Sequence, residues 1–426
     1  MNILTIPLSL LRRLIRELAR MPDRIVWLRV GRHTTPHGAE WLGRDLVLQA
    51  PYEGRNSGPY FVVQGVRSSP VWPPEHMASD PLGYLFLGIG DRAGSIWGAV
   101  RSGAGYALLD QIHIVGAGMY YLRGAPIPGV HLAGAPSLPI PALDTSRWSR
   151  TIGALGNKAA WERLIRLPMA IVGCGRIGSL VATTLGRLGV QRIILIDPDR
   201  VERHNLGEMD GVTERHVGQF KVMALAEYLG ALCDPYPIDI VPVPGPLGGD
   251  TFRPVVDSKV IFCCADADSA RLLAAILATS YHRVLVDIGT AVRPVDHDDR
   301  PDGGHVGADI RLILPGDGCL LCYGNLVDYD QAVAMLLDPN VRTQADWRMQ
   351  RAGSLRSLNE IAVGAAIHMV QDLVIGRLER STWLHIEYDE GGHLIVEYPT
   401  PHPRGWEQRC ALCARAGIGD EGVISE

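Results

Sequence analysis

Between residues 145 and about 295 two hydrophobic patterns alternate. Unbroken apolar runs, "MAIVGCG", "VQRIILIDPD", "IDIVPVP", "SKVIFCCAD" and "RVLVDIGTAV", end on glycine, proline or aspartate. Segments of helical period lie between them: "KAAWERLIRL", "IGSLVATTLGRLG", "KVMALAEYLGAL" and "SARLLAAILATSY". A strand apolar on both faces needs helices above and below it, so the pattern predicts an α/β fold, a doubly wound, mostly parallel sheet of Rossmann-like type. Residues 304 to 320 and 383 to 398 carry shorter strands. "TWLHIEYDEGGHLIVEYP" predicts a hairpin about its DEGG turn. The largely apolar "LNEIAVGAAIHMVQDLVIGRL" predicts a buried helix. Residues 323 to 356 are polar and aperiodic in places and read as a crossover segment.

The first 140 residues differ. "RIVWLRV", "DLVLQA", "GPYFVVQGV", "GYLFLGIG", "SIWGAV" and "GYALLDQIHIV" are strand-like runs separated by glycine, proline and aspartate. They predict a separate strand-rich domain of α+β or β type. Before them, Leu10, Leu11, Leu14, Ile15 and Leu18 share one helical face, with Arg12, Arg13, Arg16 and Arg20 on the other. That favours a helix docked on its own domain or a partner over one lying on a membrane surface. His33, His37, His76, His113 and His131 read as structural or solvated; Pro36 argues against a helical metal pair at His33 and His37. The stretch 124 to 144, rich in glycine and proline, marks a linker. The expected organisation is an N-terminal domain over 1–140, an α/β domain over 145–415 and a tail over 416–426.

Charge narrows the field. With 41 basic and 46 acidic residues the net charge is -5, which argues against a nucleic-acid-binding surface as the main business. The eight cysteines in 426 residues are too sparse for a disulfide scaffold. No membrane span is expected from the sequence, the N-terminus lacks the order of a secretory signal, and the expected compartment is cytoplasmic.

"IVGCGRIG" places Gly173, Gly175 and Gly178 where a strand gives way to a helix. The first glycine permits a tight turn, the second a close approach of backbone to phosphate, the third close helix–strand packing. Asp197 closes the next strand, where a carboxylate can accept ribose hydroxyls. These features predict nucleotide binding and leave NAD and ATP both open.

"DPDRVERHNLGE", "VGQFK" and "CCADADSARLL" follow in order. With the glycine loop they make the chain similar, over about residues 145 to 415, to the ThiF/MoeB-like adenylating family, which includes the catalytic domain of ubiquitin-activating enzymes. The resemblance implies an ATP- and magnesium-dependent adenylyltransferase, a nucleotidyltransferase that joins a C-terminal carboxylate to AMP. Arg150, in "RWSRTIGALG", would reach a neighbouring subunit's ATP site. Asp197 and Asp199 would lie at the nucleotide, Asn205 and Lys221 near its phosphates, and Asp266 on Mg2+, with Arg271 keeping the family spacing. Arg150, Lys221 and Asp266 are the residues expected to carry catalysis. Cationic side chains and a metal would offset the repulsion of two anions meeting at the α-phosphorus.

Two departures stand out. The family carries an arginine in a run like N-L-x-R-Q; here the run is "NLGEM", with Glu208 in its place. Either Arg200, Arg203 or Arg215 compensates, or the loop is displaced, or adenylation is weakened. Many members also attack the adenylate with a crossover-segment cysteine, but residues 323 to 409 contain none. Cys174, Cys233, Cys263 and Cys264 fall in the sheet region. A covalent thioester is therefore not expected.

Cys319, Cys322, Cys410 and Cys413 form two C-x-x-C pairs. Four thiolates suit Zn2+ in a closed, structural tetrahedral site, and the resembled family often has one at these places. A redox pair would need only one motif, and iron–sulfur is an alternative by ligand type. The resemblance further implies a homodimer and a ubiquitin-like or sulfur-carrier protein or peptide as substrate, its tail passing under the crossover segment near Ser354 to Ser357. A downstream acceptor protein would take the adenylate. The first domain is open between a substrate clamp, a docking site and a degenerate enzyme; the histidine-x-histidine-proline run of associated proteases is absent. A binding module that has lost catalysis is the alternative to an enzyme.

Overall fold

The computed structural model describes residues 1–21, 25–48, 59–66, 81–88, 96–103, 105–123, 145–156, 158–293, 305–324, 333, 355–389, 391–400 and 410–422. The linker at 124–144, the crossover residues 325–354 apart from 333, and His76, His131 and Ser354 lie outside them. Two compact units emerge. One comprises Met1–Asp144, Ser280–His282 and Arg415–Glu426; the other comprises Thr145–Thr279 and Arg283–Ala414.

The first unit runs β1 (Asn2–Pro7), α1 (Leu8–Arg20), β2 (Val26–Thr35), β3 (Gly38–Val47), β4 (Tyr60–Val66), β5 (Gly83–Gly88), β6 (Ile96–Ser102), β7 (Gly105–Leu108), β8 (Gln111–Val115) and β9 (Tyr120–Arg123). Among the described residues these strands form one sheet, ordered β7-β6-β5-β4-β2-β3-β1-β8-β9. The expected helix forms and docks, with Leu11, Leu14 and Leu18 buried and Arg20 in its last turn. Two details of the sequence reading change. The residues before it, "NILTIP", form β1, paired in parallel with both β3 and β8. Ile15, expected on the apolar face, is exposed. The "HTTPH" stretch is the end and turn of the β2–β3 hairpin, and His33 is buried on β2.

Residues from the far end of the sequence complete this unit. Asp420 accepts hydrogen bonds from the Thr34 backbone N–H at 2.8 Å and the Tyr281 hydroxyl at 3.0 Å, and pairs with His33 Nδ1 at 3.2 Å. Burial works against its ionisation, but these partners outweigh it and hold the carboxyl down at about 2. A side chain on Gly31 would strike the carbonyl oxygens of Gly417 and Ile418, so the close approach demands glycine there.

The second unit runs α2 (Ser149–Ala154), α3 (Lys158–Arg166), β10 (Met169–Val172), α4 (Arg176–Leu188), β11 (Arg192–Ile196), α5 (Lys221–Cys233), β12 (Asp239–Val243), α6 (Phe252–Val256), β13 (Val260–Cys263), α7 (Asp268–Ser280), β14 (Val284–Arg293), β15 (His305–Ile313), α8 (Arg356–Ile375), β16 (Thr382–Tyr388) and β17 (Leu394–Glu397). Its sheet is ordered β12-β11-β10-β13-β14-β15-β16-β17. The first five strands are parallel, and β14 to β17 continue in antiparallel pairs. The central strands are wholly buried, as continuous apolar runs require. β16 and β17 form the expected hairpin. α8 is long and apolar enough to cross a membrane, yet it packs on β14, β15 and α4 with Leu358, Ala362, Ala366 and Leu373 buried. The chain runs outward from β10 to β12, then returns to β13 on the other side of β10. In open α/β sheets ligands bind beyond the strand C-termini at such a switch point.

Candidate functional site

The glycine loop stands at that switch point. Gly173 follows β10 with φ +88°, a conformation that favours glycine, and a side chain there would meet the Ala265 backbone nitrogen at 2.8 Å. A side chain on Gly178 would collide with the Gly173 carbonyl. Beyond Gly175, the residue before α4, the same position meets only open space. The loop is therefore closed toward β13 and the helix and open at Gly175, next to the free N–H groups of α4. Helix N-termini of this kind favour anions.

Asp197 fixes the loop from beneath. It is buried, and its carboxylate accepts the Cys174 N–H at 2.6 Å and the Asp199 N–H at 2.8 Å. Burial raises its pKa, and Lys221 and the two N–H groups oppose that rise. In the structure Asp197 is thus first an organiser of backbone.

Lys221 opens α5 and is held at both ends. Its backbone N–H reaches the Asp199 carbonyl at 2.9 Å, and its Nζ lies 2.8 Å from Asp199 Oδ2. Burial alone would depress its ammonium. Asp197, the hydrogen bond to Asp199, and Asp266 outweigh it, and the pKa rises. Asp266 is exposed on the loop between β13 and α7. Arg271 sets that loop: its Nε donates to the Ala265 carbonyl at 2.9 Å, and its Nη1 to both Asp287 oxygens at 2.9 and 3.1 Å. Gly173, Gly175, Asp197, Asp199, Lys221 and Asp266 therefore come together at the ends of β10, β11 and β13.

Asn205 sits on a short 3-10 turn, Arg203–Gly207. It is buried, and its Oδ1 accepts the Glu202 N–H at 2.8 Å. Arg150 lies elsewhere. It is exposed on α2 and makes no ion pair among the described residues. Its neighbour Arg147 is taken up internally, donating to the Leu232 carbonyl at 2.9 Å and lying over the rings of Trp148 and Tyr236.

The sequence reading missed Arg176. It is the first residue of α4, and its Nε lies 3.4 Å from Glu208 Oε2. The two are far apart in the chain, and no spacing rule links them.

The four cysteines of the C-x-x-C pairs converge. Their sulfurs lie within 4.8 Å of one another, with Cys319–Cys322 at 3.6 Å, Cys319–Cys410 at 3.5 Å and Cys322–Cys413 at 3.6 Å. All are free thiols. Tetrahedral zinc with Zn–S of about 2.3 Å places sulfurs roughly 3.8 Å apart, so the donor set fits. Hydrogen bonds from Cys413, against burial, draw Cys319 down to about 6; Cys413 is pushed up in exchange. The four cysteines of the sheet region show no such lowered thiol. Burial raises Cys174, Cys233 and Cys264 and pushes Cys263 up to about 12. None of the four is poised as a thiolate nucleophile.

A doubly wound sheet with an open glycine loop at its switch point, a cation between three carboxylates and a tetrathiol cluster defines an α/β domain with a candidate nucleotide site and a candidate metal centre. The chain belongs to the ThiF family, whose model matches residues 148–382, more than half of its length. It is similar to ubiquitin-like modifier-activating enzyme 5 of Arabidopsis thaliana, 25% identical over 203 residues, covering 43% of this chain and 44% of that protein. The Aedes aegypti enzyme of the same name is 34% identical over 89 residues, covering 20% and 22%. The chain spans less than half the length of these relatives. Among solved structures, Escherichia coli MccB with ATP gives a TM-score of 0.47 at 19% identity, covering 63% of this chain and 74% of that one.

Proposed function

We propose that this protein uses ATP to adenylate the C-terminal carboxylate of a ubiquitin-like or sulfur-carrier protein or peptide. The carboxylate oxygen attacks the α-phosphorus, the bond to the β-phosphate oxygen breaks, and pyrophosphate leaves. The observation that carries this reading is Lys221. Its ammonium is presented beside an open anion-binding loop and kept charged by Asp197, Asp199 and Asp266. In this reading Asn205 and the α4 N–H groups orient the phosphates, and Asp197 holds the loop in shape. Family membership supports it, as does the similarity to ubiquitin-like modifier-activating enzymes.

Lys221, set among three carboxylates, does not by itself balance the charge of a triphosphate. Asp266, exposed and oxygen-bearing, suits Mg2+, which prefers oxygen ligands and when bound would neutralise phosphate charge. Cys319, Cys322, Cys410 and Cys413 would hold Zn2+, whose role is structural because four protein ligands leave no open position. Arg150, exposed on α2, would complete the ATP site of a second copy, making the active species a homodimer. With residues 323 to 409 lacking cysteine and the sheet cysteines held as thiols, the adenylate passes to an acceptor other than a crossover cysteine. The reaction is assigned to the cytoplasm, and the strand-rich unit to recognition of substrate or acceptor.

ATP–pyrophosphate exchange tests the reading. With Mg2+ and peptides ending in glycine, label is expected to move from pyrophosphate into ATP. ATP binding with no exchange for any such peptide would favour the alternative that Glu208 raises, a binding module that kept the fold. Native mass spectrometry should show one zinc per chain and a dimer, with the zinc lost in Cys322→Ser.

A further inference from the structure

Glu208 stands where the resembled family has an arginine, beside the expected phosphate position. Each of the three arginines nominated from sequence is engaged elsewhere. Arg200 donates to the Gly218 carbonyl at 2.7 Å and lies over the Phe220 ring at 3.9 Å. Arg203 pairs with Glu214 at 2.8 Å, and Arg215 with Glu227 at 2.8 Å.

The loop that carries Glu208 is tied to α4. Ser179 Oγ, one turn into α4, accepts the Asp210 N–H at 3.0 Å. The Glu208 and Met209 N–H groups both donate to the Asn205 carbonyl, at 3.0 and 2.9 Å. The turn bearing Asn205 and Glu208 is therefore strapped to the same helix end that bears Arg176.

We infer that Arg176 supplies the phosphate-binding cation the family places at position 208, and that Arg176 and Glu208 are a charge-swapped pair. This rests on the ATP reading above. Glu208 holds Arg176 at the mouth of the glycine loop, and a phosphate oxygen of bound ATP displaces the carboxylate. Three features fit that exchange. Arg176 begins the helix whose N-terminal field attracts anions. The pair is half-exposed, and at 3.4 Å it is longer than a good hydrogen bond, so it contributes little net stability. A guanidinium gains two parallel hydrogen bonds when it trades a loose carboxylate contact for a phosphate.

The test is calorimetric titration of MgATP into the full chain, which needs no knowledge of the carboxylate substrate. Arg176→Gln is expected to weaken ATP binding by about tenfold or more, the loss of one charge-assisted contact. Glu208→Gln should bind ATP at least as tightly as the wild type. Arg176→Gln combined with Glu208→Arg should regain most of the lost affinity, because the cation returns at the family's position. That rescue also separates phosphate binding from a merely structural role. Wild-type affinity in Arg176→Gln, weaker binding in Glu208→Gln, or no rescue in the double variant overturns the swap alone. Failure of the wild type to bind ATP overturns it together with the adenylation reading.

Discussion

Asp287 and Arg311 are buried within the second unit with Arg271 largely covered beside them, whereas Asp199, Lys221 and Asp266 stand at its strand ends. Both clusters set carboxylates against cations, and both tie into the loop at 264–267. In the first, Asp287 on β14 lies directly across from Arg311 on β15, with Arg271 on its other side. Burial raises the Asp287 carboxyl, and the two guanidinium groups oppose it. Arg311 also lies over Trp383, 4.2 Å from the ring centroid. Every charge there faces protein. In the second cluster Asp199 and Asp266 are exposed, and only Lys221 is largely covered. The comparison teaches where the cost of a mutation falls: on folding where a charge has only protein partners, on ligand binding where one side is open.

The sharpest break of that contrast is Asp287→Asn. It leaves two buried guanidinium groups facing a neutral amide and should cost about 3–5 kcal/mol, read from urea unfolding. A loss no larger than a surface substitution would end the distinction. Next comes Lys221→Ala, expected to lower pyrophosphate exchange by about 100-fold or more while the urea midpoint hardly moves. An equal fall in stability would place Lys221 with the closed cluster.

Asp420→Asn extends the comparison to the first unit, where a carboxylate is again closed in by protein. Its folded pKa of about 2 lies below the ordinary carboxyl value of 3.8, so its contribution is present above that value and fades as pH falls toward 2. A destabilisation of about 1–2 kcal/mol at neutral pH is expected, shrinking between roughly pH 4 and pH 2. A gap independent of pH over that range would show that His33 and Tyr281 gain nothing from its charge. The smallest effect is Asp199→Asn. Its exposed pair with Lys221 should shift stability by no more than about 0.5 kcal/mol, and by removing one carboxylate it should lower the Lys221 pKa. A large loss of stability would mean that the open cluster also serves folding.

The parts of the molecule legible in sequence were those governed by local rules. Gly173, Gly175 and Gly178 mark their turn because each spacing answers a steric need that the structure confirms at Gly173 and Gly178. The apolar runs of β10, β11 and β13 name themselves, since strands covered on both faces carry no polar position. Cys319, Cys322, Cys410 and Cys413 are legible as a set because the C-x-x-C spacing repeats, and the structure brings their sulfurs together. β1 was hidden. "NILTIP" is apolar and abuts a strong helical repeat, and only its two parallel neighbours, β3 and β8, make it a strand. Arg176 was hidden for a similar reason: its meaning depends on Glu208, brought near by a strap between Ser179 and Asp210. The completion of the first unit by Tyr281 and Asp420 left no periodic trace at all.

That last arrangement has a consequence for biosynthesis. The first unit closes with Ser280–His282 and with Arg415 onward, so a ribosome delivers its final pieces only after translating the entire second unit. The first unit's strands all lie within Asn2–Arg123 and can pair early. The unit nevertheless stays without the contacts of Asp420 with His33, Thr34 and Tyr281 through nearly the whole elongation time, although N-terminal domains generally fold first during synthesis. Its window of exposure to chaperones and proteases is thus set by the length of its neighbour.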